Sequence, residues 1–165
     1  MIISVKEVIN FFISVLIPLV VGYASSMISQ IIAGTNTAAN YASLIKPNFA
    51  PPSFIFPIVW TILYILMGIS AYLILKKGYE STKVKDAMFY YWLQLGLNFL
   101  WSILFFGFDL RLTALIVLVI ILLIVIVMAY KFFKINKKAT YINIPYILWL
   151  MYALYLNYFI WVINK

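Results

Sequence analysis

Neither cysteine nor histidine occurs among the 165 residues of the chain, and acidic side chains number only four. Disulfides, Cys/His zinc sites and haem ligation by histidine or a thiolate are therefore excluded. Nucleophilic catalysis by a Ser-His or Cys-His pair is excluded for the same reason. The four carboxylates lie outside the long apolar runs, so we expect no metal site and no cofactor.

Charge of either sign is scarce, since 10% of the residues are charged and 67% are apolar. A soluble domain of this size has too little interior for that much apolar surface, whereas helices in a lipid bilayer do not need to hide it. The net charge of +8 would suggest nucleic acid as the partner of a soluble protein. Here the basic residues cluster at the ends of apolar runs, so we expect membrane lipid around the chain and no nucleic acid.

The apolar residues fall into uncharged runs that each approach or exceed the roughly 20 residues a helix needs to cross hydrocarbon. Their length and lack of alternation favour helices over strands. The first run is too long for the apolar core of a signal peptide and lacks a convincing cleavage site. We predict an all-α membrane protein, a five-helix transmembrane bundle in a single domain, 1–165, with a lid loop at 33–51. The five spans are about 8–32, 52–75, 87–108, 112–130 and 141–164.

Basic residues are distributed unequally between the two sides of such a bundle. One side would carry Lys46, Arg111 and Lys165. Because short cytoplasmic loops are enriched in Lys and Arg, we predict a cytoplasmic N-terminus, an external C-terminus and an external lid loop. The side of the N-terminus would carry nine: Lys6, Lys76, Lys77, Lys83, Lys85, Lys131, Lys134, Lys137 and Lys138.

Asp, Glu, Lys and Arg are absent from the interior of the spans, which argues against a proton-driven pump and leaves no buried carboxylate pair for catalysis. The third span nevertheless places Gln94, Asn98, Ser102 and Phe105 on one helical face. Two interpretations are open for this row. It forms hydrogen bonds between helices, or it forms the wall of a pocket with a few oriented polar groups.

Three other spans carry faces of interest. An indole beside a small residue leaves a slot for a flat ring, although an aromatic stripe in a helix more often serves packing. We assign the small-residue face of the first span to close helix contact. These faces are Trp60, Tyr64 and Gly68 in the second span, Trp149, Ala153, Leu156 and Asn157 in the fifth, and Gly22, Ser26 and Ser29 in the first.

Three separated motifs extend over residues 41–164. They are Tyr41-x-x-Leu44-x-Lys46-Pro47 with Pro51-Pro52 and Val59-Trp60-Thr61-x-Leu63-Tyr64; Gln94-Leu95-x-Leu97-Asn98 with Trp101 and Phe105-Phe106-Gly107; and Pro145-Tyr146-x-x-Trp149 with Tyr152-Ala153, Leu156-Asn157-Tyr158, Trp161 and Asn164. Together they resemble the translocator protein family, also called tryptophan-rich sensory proteins or peripheral-type benzodiazepine receptors.

The resemblance implies a five-helix bundle, often a homodimer, with a pocket under the first loop for porphyrins, sterol-like lipids and synthetic isoquinoline or benzodiazepine drugs. Trp60 and Trp149 match two tryptophans linked in relatives to light-dependent porphyrin breakdown. The chain departs from the family pattern at Asn40 and Phe49, where tryptophan is usual, and at Val117, where an acidic residue is common. The pocket positions carried over are Tyr41, Pro51, Trp60, Tyr64, Asn98, Ser102, Phe105, Trp149 and Ala153.

The leading hypothesis is a receptor or sensor that binds tetrapyrroles and related hydrophobic ligands. Trp60 and Trp149 would stack on the ring, Asn98 would supply a hydrogen bond, and Lys46 would meet a propionate. One alternative is light- and oxygen-dependent porphyrin breakdown with the two tryptophans as redox partners; another is transport of tetrapyrroles or lipids. The excess of lysine over arginine is typical of an AT-rich genome, and with the charge asymmetry it indicates the plasma membrane of a bacterium.

Overall fold

The computed structural model describes residues 4–165, and the described residues form helices and no strands. The fourth helix continues into a short π-helix, Ile103–Gly107, before the chain turns. The helices are α1 (Val5–Ala33), α2 (Thr37–Ser43), α3 (Ile55–Leu75), α4 (Thr82–Ser102), α5 (Arg111–Ile135), α6 (Lys137–Ile142) and α7 (Ile144–Ile163).

Five helical segments are long and apolar enough to cross a membrane: α1, α3, α4 with its π-helix, α5, and α6 together with α7. The last crossing is interrupted at Asn143, two residues before Pro145 in the first turn of α7. Proline has no backbone N–H to bond to the carbonyl four residues earlier, here that of Tyr141, and its ring crowds that carbonyl, which accounts for a break at this point. The prediction of an all-α protein with five long apolar helices is confirmed.

The ends of the helices follow from local sequence. Ser4 caps α1 by accepting a hydrogen bond from the Glu7 backbone N–H at 3.2 Å, and Gly34 ends α1 with a left-handed φ of 66°. Asn36 then caps α2, its Oδ1 accepting from the Ala39 N–H at 2.7 Å. The segment predicted as a lid loop therefore contains a short helix, and only its second half is irregular.

The long helices form a closed ring in the order α1, α3, α6–α7, α5, α4 and back to α1. The short helix α2 touches α1 and the π-helix, so it lies across one end of the bundle. That end, the α2 end, also holds the start of α3 and the last turn of α7, which bonds to the chain after α2. The opposite end holds the start of α1 and the turn between α3 and α4.

Close helix contact and buried hydrogen bonds hold α1 against its neighbours. Gly68 of α3 lies against the backbone of Ser14 and Val15, where a side chain would not fit. Nearer the α2 end, the Ser25 hydroxyl of α1 donates to the Phe99 carbonyl of α4 at 2.7 Å. Small residues and hydrogen bonds are the usual means of joining helices in lipid, where apolar surface is not driven together by water.

We expect Gly68→Ala to destabilise the bundle, because the added Cβ would lie 2.5 Å from the Ser14 carbonyl oxygen and from the Val15 Cα. Backbone atoms cannot rotate away, so α1 and α3 would have to separate, at a cost of roughly 1–3 kcal/mol. The matched control is Gly96→Ala, which meets no heavy atom within 4 Å. Thermal unfolding in detergent should show a lower midpoint for Gly68→Ala alone; equal midpoints would contradict this contact.

Candidate ligand-binding site

A cavity of about 420 Å³ lies between α1, α3 and α4 beneath α2. Its volume falls in the range of small-molecule sites, roughly 300–1,000 Å³. Its exposed lining residues Tyr23, Pro57 and Thr61 mark an opening on the outer surface of the bundle at the seam of α1 and α3. The lining residues are Leu19, Gly22, Tyr23, Ser25, Ser26, Thr37, Ala38, Tyr41, Ser53, Phe56, Pro57, Trp60, Thr61, Tyr64, Asn98, Trp101, Ser102 and Phe106.

Aromatic rings from α3 and α4 make up much of the wall. Trp60 stacks on Tyr64, one turn further along α3, with ring centroids 5.4 Å apart and planes inclined by 30°. Trp101 of α4 lies 6.3 Å from Trp60, again with the rings tilted by only 35°. The Tyr64 ring reaches α1 at Gly22, where a Cβ would collide with it. Glycine at position 22 is thus what lets this stack lie against the first helix.

The polar part of the wall is a hydrogen-bonded cluster that joins α4 to α7. The Asn98 amide nitrogen donates to the Gln94 backbone oxygen at 3.0 Å and to Gln94 Oε1 at 2.9 Å. The Tyr146 hydroxyl also donates to Gln94 Oε1, at 2.7 Å. Both interpretations of this row therefore hold for Asn98, which links helices and also lines the cavity.

The orientation of the Asn98 amide follows from this cluster. A backbone carbonyl oxygen can only accept a hydrogen bond, so the atom next to the Gln94 carbonyl must be Nδ2. The Asn98 Oδ1 is then left buried with no hydrogen-bond partner among residues 4–165. A buried acceptor without a partner costs about 1–3 kcal/mol, and a donor brought by a ligand would relieve that cost.

The π-helix changes which residue continues the polar row of α4. Ser102 lines the cavity and its hydroxyl lies 3.2 Å from the Ser29 hydroxyl of α1. Beyond it, the Phe108 N–H bonds to the Ile103 carbonyl five residues earlier, so each turn holds more residues than in an α-helix. Phe106 therefore lines the cavity, whereas Phe105, the predicted position, is turned toward α7.

The roof of the cavity is fixed by two side chains of the α2 region. Tyr41 is 3% exposed, and its hydroxyl donates to the Pro51 carbonyl at 3.0 Å. Burial raises the pKa of Tyr41 to about 12, so the hydroxyl remains a donor at neutral pH. The Lys46 ammonium donates to three backbone carbonyls, those of Tyr41, Ala42 and Leu44, at 2.7–3.0 Å. An ammonium has three donors, and Lys46 uses all of them inside the loop.

The chain after α2 is fastened to α7. The Asn164 side chain exchanges two hydrogen bonds with the Ile45 backbone, at 3.0 and 2.8 Å. The Tyr152 hydroxyl donates to the Phe49 carbonyl at 3.0 Å, and the Phe49 ring stacks on Tyr155 at 4.7 Å. Phe49, which stands where the family usually has tryptophan, is thus an anchor for the loop.

Five of the ten predicted site residues line the cavity: Tyr41, Trp60, Tyr64, Asn98 and Ser102. The other five lie around it. Lys46 and Pro51 hold the loop, and Trp149 packs behind Phe56 at a centroid distance of 6.0 Å. Phe105 and Ala153 line a separate space of only about 20 Å³ next to α7. The slot expected on the fifth span is largely filled, because Phe105 stacks on Trp101 at 5.3 Å.

The contribution of α1 to the cavity lining was not expected from the sequence. Gly22 and Ser26, which we assigned to helix contact alone, line the cavity together with Leu19, Tyr23 and Ser25. The signal was present as the small-residue face, but a small residue that admits a neighbouring helix looks the same in sequence as one that leaves space for a ligand. We also did not expect three other lining residues, because helical periodicity does not determine which helices face each other. They are Thr37, Phe56 and Trp101.

These features define a multi-pass membrane protein with a ligand-sized, aromatic cavity covered by a loop. The model of the TspO/MBR family matches residues 14–162. The tryptophan-rich protein TspO of Chlorobaculum tepidum is 31% identical over 96% of this chain and 98% of its own length. The protein of that name from Archaeoglobus fulgidus is 35% identical over 92% and 94%. The tryptophan-rich sensory protein of Cereibacter sphaeroides is 34% identical over 72% of each chain. The chain belongs to the TspO/MBR family.

We expect Tyr41→Phe to loosen the roof, because it removes the hydroxyl that bonds to Pro51 while keeping the buried ring. One net hydrogen bond corresponds to roughly a threefold to tenfold faster backbone amide exchange in residues 44–50, measured by mass spectrometry at neutral pH. Tyr23→Phe is the matched control, since Tyr23 lines the same cavity, is 70% exposed and has no hydrogen-bond partner within residues 4–165. Unchanged exchange in Tyr41→Phe would contradict the role of this bond.

The same bond should fail at high pH. Because the pKa of Tyr41 is raised from 10.0 to about 12 in the folded protein, its protonated form stabilises the fold fully below pH 10. That stabilisation is lost as the pH rises from 10 toward 12. Cleavage by an alkaline protease in the 44–50 segment should accelerate over this window in the wild type and not in Tyr41→Phe, which is already open at neutral pH.

Proposed function

We propose that this protein is a membrane receptor that binds tetrapyrroles such as protoporphyrin IX, and related flat hydrophobic molecules, in the cavity beneath α2. The observation that carries the proposal is the stacked pair of Trp60 and Tyr64 in the wall of a ligand-sized cavity. Flat rings bind to other flat rings with both apolar burial and favourable stacking geometry. A sensory role is supported by the family and by the name of the relative from C. sphaeroides.

The cavity is open on one side, so it can bind one edge of a ligand that is larger than the enclosed space. A macrocycle placed against Trp60 would bury one edge among the rings, while its other edge extends through the opening beside Tyr23. Trp149 lies behind Phe56 rather than on the wall, so it would contribute through Phe56 or after that ring moves. A propionate would have to replace one of the carbonyls bound to Lys46, which makes this loop lysine a weaker anchor than the sequence indicated.

We also propose a location and an orientation. With five crossings the two termini lie on opposite sides, and the side of the N-terminus carries most of the lysines. The positive-inside rule then places the N-terminus in the cytoplasm of a bacterium and α2 on the outer face of its plasma membrane. Cysteine accessibility labelling tests this: a cysteine placed at Phe49 should react with an impermeant reagent in intact cells, and one placed at Lys83 should not.

The test of binding is a titration of purified protein with protoporphyrin IX in strict darkness, followed by the porphyrin absorbance band. We expect saturable, micromolar binding in the wild type and about a tenfold weaker affinity in Trp60→Leu, because losing the stacked indole costs about 1.4 kcal/mol. Trp161→Leu, near the end of α7 and outside the cavity, is the matched control. Non-saturable partitioning, equal in all three proteins, would overturn the proposal.

Trp149→Leu distinguishes the contributions of Trp60 and Trp149 to porphyrin binding. If the wall in the structure is the binding surface, this change weakens porphyrin binding less than Trp60→Leu does, since Trp149 stands one ring away from the cavity. An equal or larger loss from Trp149→Leu would mean that the ligand displaces Phe56 and uses the α7 side. Once dark binding is established, admitting light and oxygen tests for porphyrin breakdown, which should be slower in whichever variant binds less.

The unpartnered Asn98 oxygen predicts a preference for ligands with a hydrogen-bond donor. Carbazole and dibenzofuran are flat tricycles of nearly the same shape, and only carbazole has an N–H. We expect the wild type to prefer carbazole by roughly threefold to tenfold, the value of one net hydrogen bond. Asn98→Leu should abolish that preference whatever it does to overall affinity, and Ser102→Ala should keep it. Equal binding of both tricycles to the wild type would show that Asn98 does not meet the ligand.

A further inference from the structure

A second, separate space lies at the end of the bundle opposite α2. It has a volume of about 500 Å³ and is formed by the first turns of α1, the last turns of α3 and the first half of α4. It shares no lining residue with the cavity beneath α2. The residues that line this groove, as we call it below, are Glu7, Asn10, Ile13, Ser14, Ile17, Ala71, Tyr72, Leu75, Lys76, Tyr79, Met88, Tyr91 and Trp92.

The groove lies between the N-terminal half of α1 and the first half of α4. The two helices are joined near the α2 end, where Ser25 bonds to the Phe99 carbonyl, and α1 is held to α3 at Gly68. Toward its N-terminus, α1 has no hydrogen bond to α4 among the described residues. Pro18 lies inside α1 between these two regions, and an internal proline is a usual place for a helix to bend. The space left between α1 and α4 has α3 as its floor.

Polarity changes from one end of the groove to the other. At the water-facing end, the Lys76 ammonium lies 2.8 Å from the Glu7 carboxylate, and both side chains are partly exposed. Asn10 and Ser14 come next, and Ile13, Ile17 and Leu75 form the apolar depth. The eleven residues from Glu7 to Ile17 extend about 15 Å at the rise of an α-helix, which is half the thickness of a hydrocarbon core of about 30 Å.

The size of the groove decides what it can hold. A volume of about 500 Å³ over that length leaves a cross-section of a few tens of Å², enough for one or two hydrocarbon chains. A helix with its side chains is 10–12 Å across and needs roughly 80–110 Å². The groove therefore cannot take up a whole helix of a second copy of this chain, and it matches a single amphiphile that extends through one leaflet.

We infer that the groove is a specific site for one glycerophospholipid of the leaflet at the N-terminal side, with its phosphate on Lys76 and an acyl chain along Ile13 and Ile17. Lys76 uses one N–H donor on Glu7 and keeps others for a phosphate. Residues 76–86 carry four lysines and two acids, so the local field favours an anionic headgroup even though Lys85 lies 4.0 Å from Glu80. The site is independent of the tetrapyrrole proposal.

Native mass spectrometry of delipidated protein titrated with phosphatidylglycerol tests the inference. We expect the wild type to retain one lipid with saturable affinity. Ile13→Trp should weaken it at least tenfold by filling the groove, while Ile9→Trp should not, because Ile9 lies one turn away on α1 with similar exposure, 51% against 49%, and does not line the groove. Lys76→Gln should weaken binding several-fold, and its neighbour Lys77→Gln much less.

A competitor that has a phosphate but no acyl chain distinguishes a lipid site from a simple phosphate site. Glycerol 1-phosphate at a large excess should not displace the lipid if the acyl chain occupies the groove. Displacement by glycerol 1-phosphate would show a simple phosphate site and overturn the proposal. Equal lipid retention by Ile13→Trp and Ile9→Trp would show ordinary annular lipid and overturn it as well. Both isoleucines are about half exposed, so neither substitution has to fit into the core.

Discussion

The hydrocarbon region contains no water, so every amide and hydroxyl inside the bundle depends on a partner from the chain itself. The cluster of Gln94, Asn98 and Tyr146 meets this demand across α4 and α7, and Ser25 meets it across α1 and α4. These bonds fix the helices around the cavity beneath α2. Asn98 lies on the cavity wall, and its Oδ1 is the acceptor of the Gln94, Asn98 and Tyr146 cluster that has no partner among residues 4–165. The interaction that orders the bundle thus also supplies the polar contact that a ligand would find.

The number and position of the long helices were predictable because both depend on short-range rules. An uncharged apolar run of about 20 residues forms a membrane-spanning helix in lipid, and the charges at its ends mark where that helix leaves the hydrocarbon. The face formed by Asn98 and Ser102 was predictable from helical period alone. Phe105, one turn later, lies outside the cavity lining because the period itself changes in the π-helix. Nothing in the sequence of that turn indicates the change, and the π-helix packs against α1 and α5.

The loop and the fifth crossing could not be derived in the same way, since their roles depend on which groups meet in space. Lys46 looks in sequence like a free cation near a pocket, but three carbonyls at the end of α2 take up its donors. Trp149 follows the family pattern as a pocket residue, yet Phe56 stands between it and the cavity. Family motifs mark which residues gather near a site, and side-chain packing decides which of them form its surface.

The first helix explains why the bundle has an open space at each end. Along α1 the two linings meet near Pro18, because residues between Glu7 and Ile17 line the groove and residues between Leu19 and Ser26 line the cavity beneath α2. At the α2 end the space that results is roofed by a loop that α7 anchors through Asn164. At the opposite end, the ion pair of Glu7 and Lys76 bounds the groove on its polar side. We propose a flat ring as the ligand of the roofed space, and a lipid chain as the ligand of the unroofed one, which has no loop across it. Since the two linings share no residue, the failure of either assignment would leave the other standing.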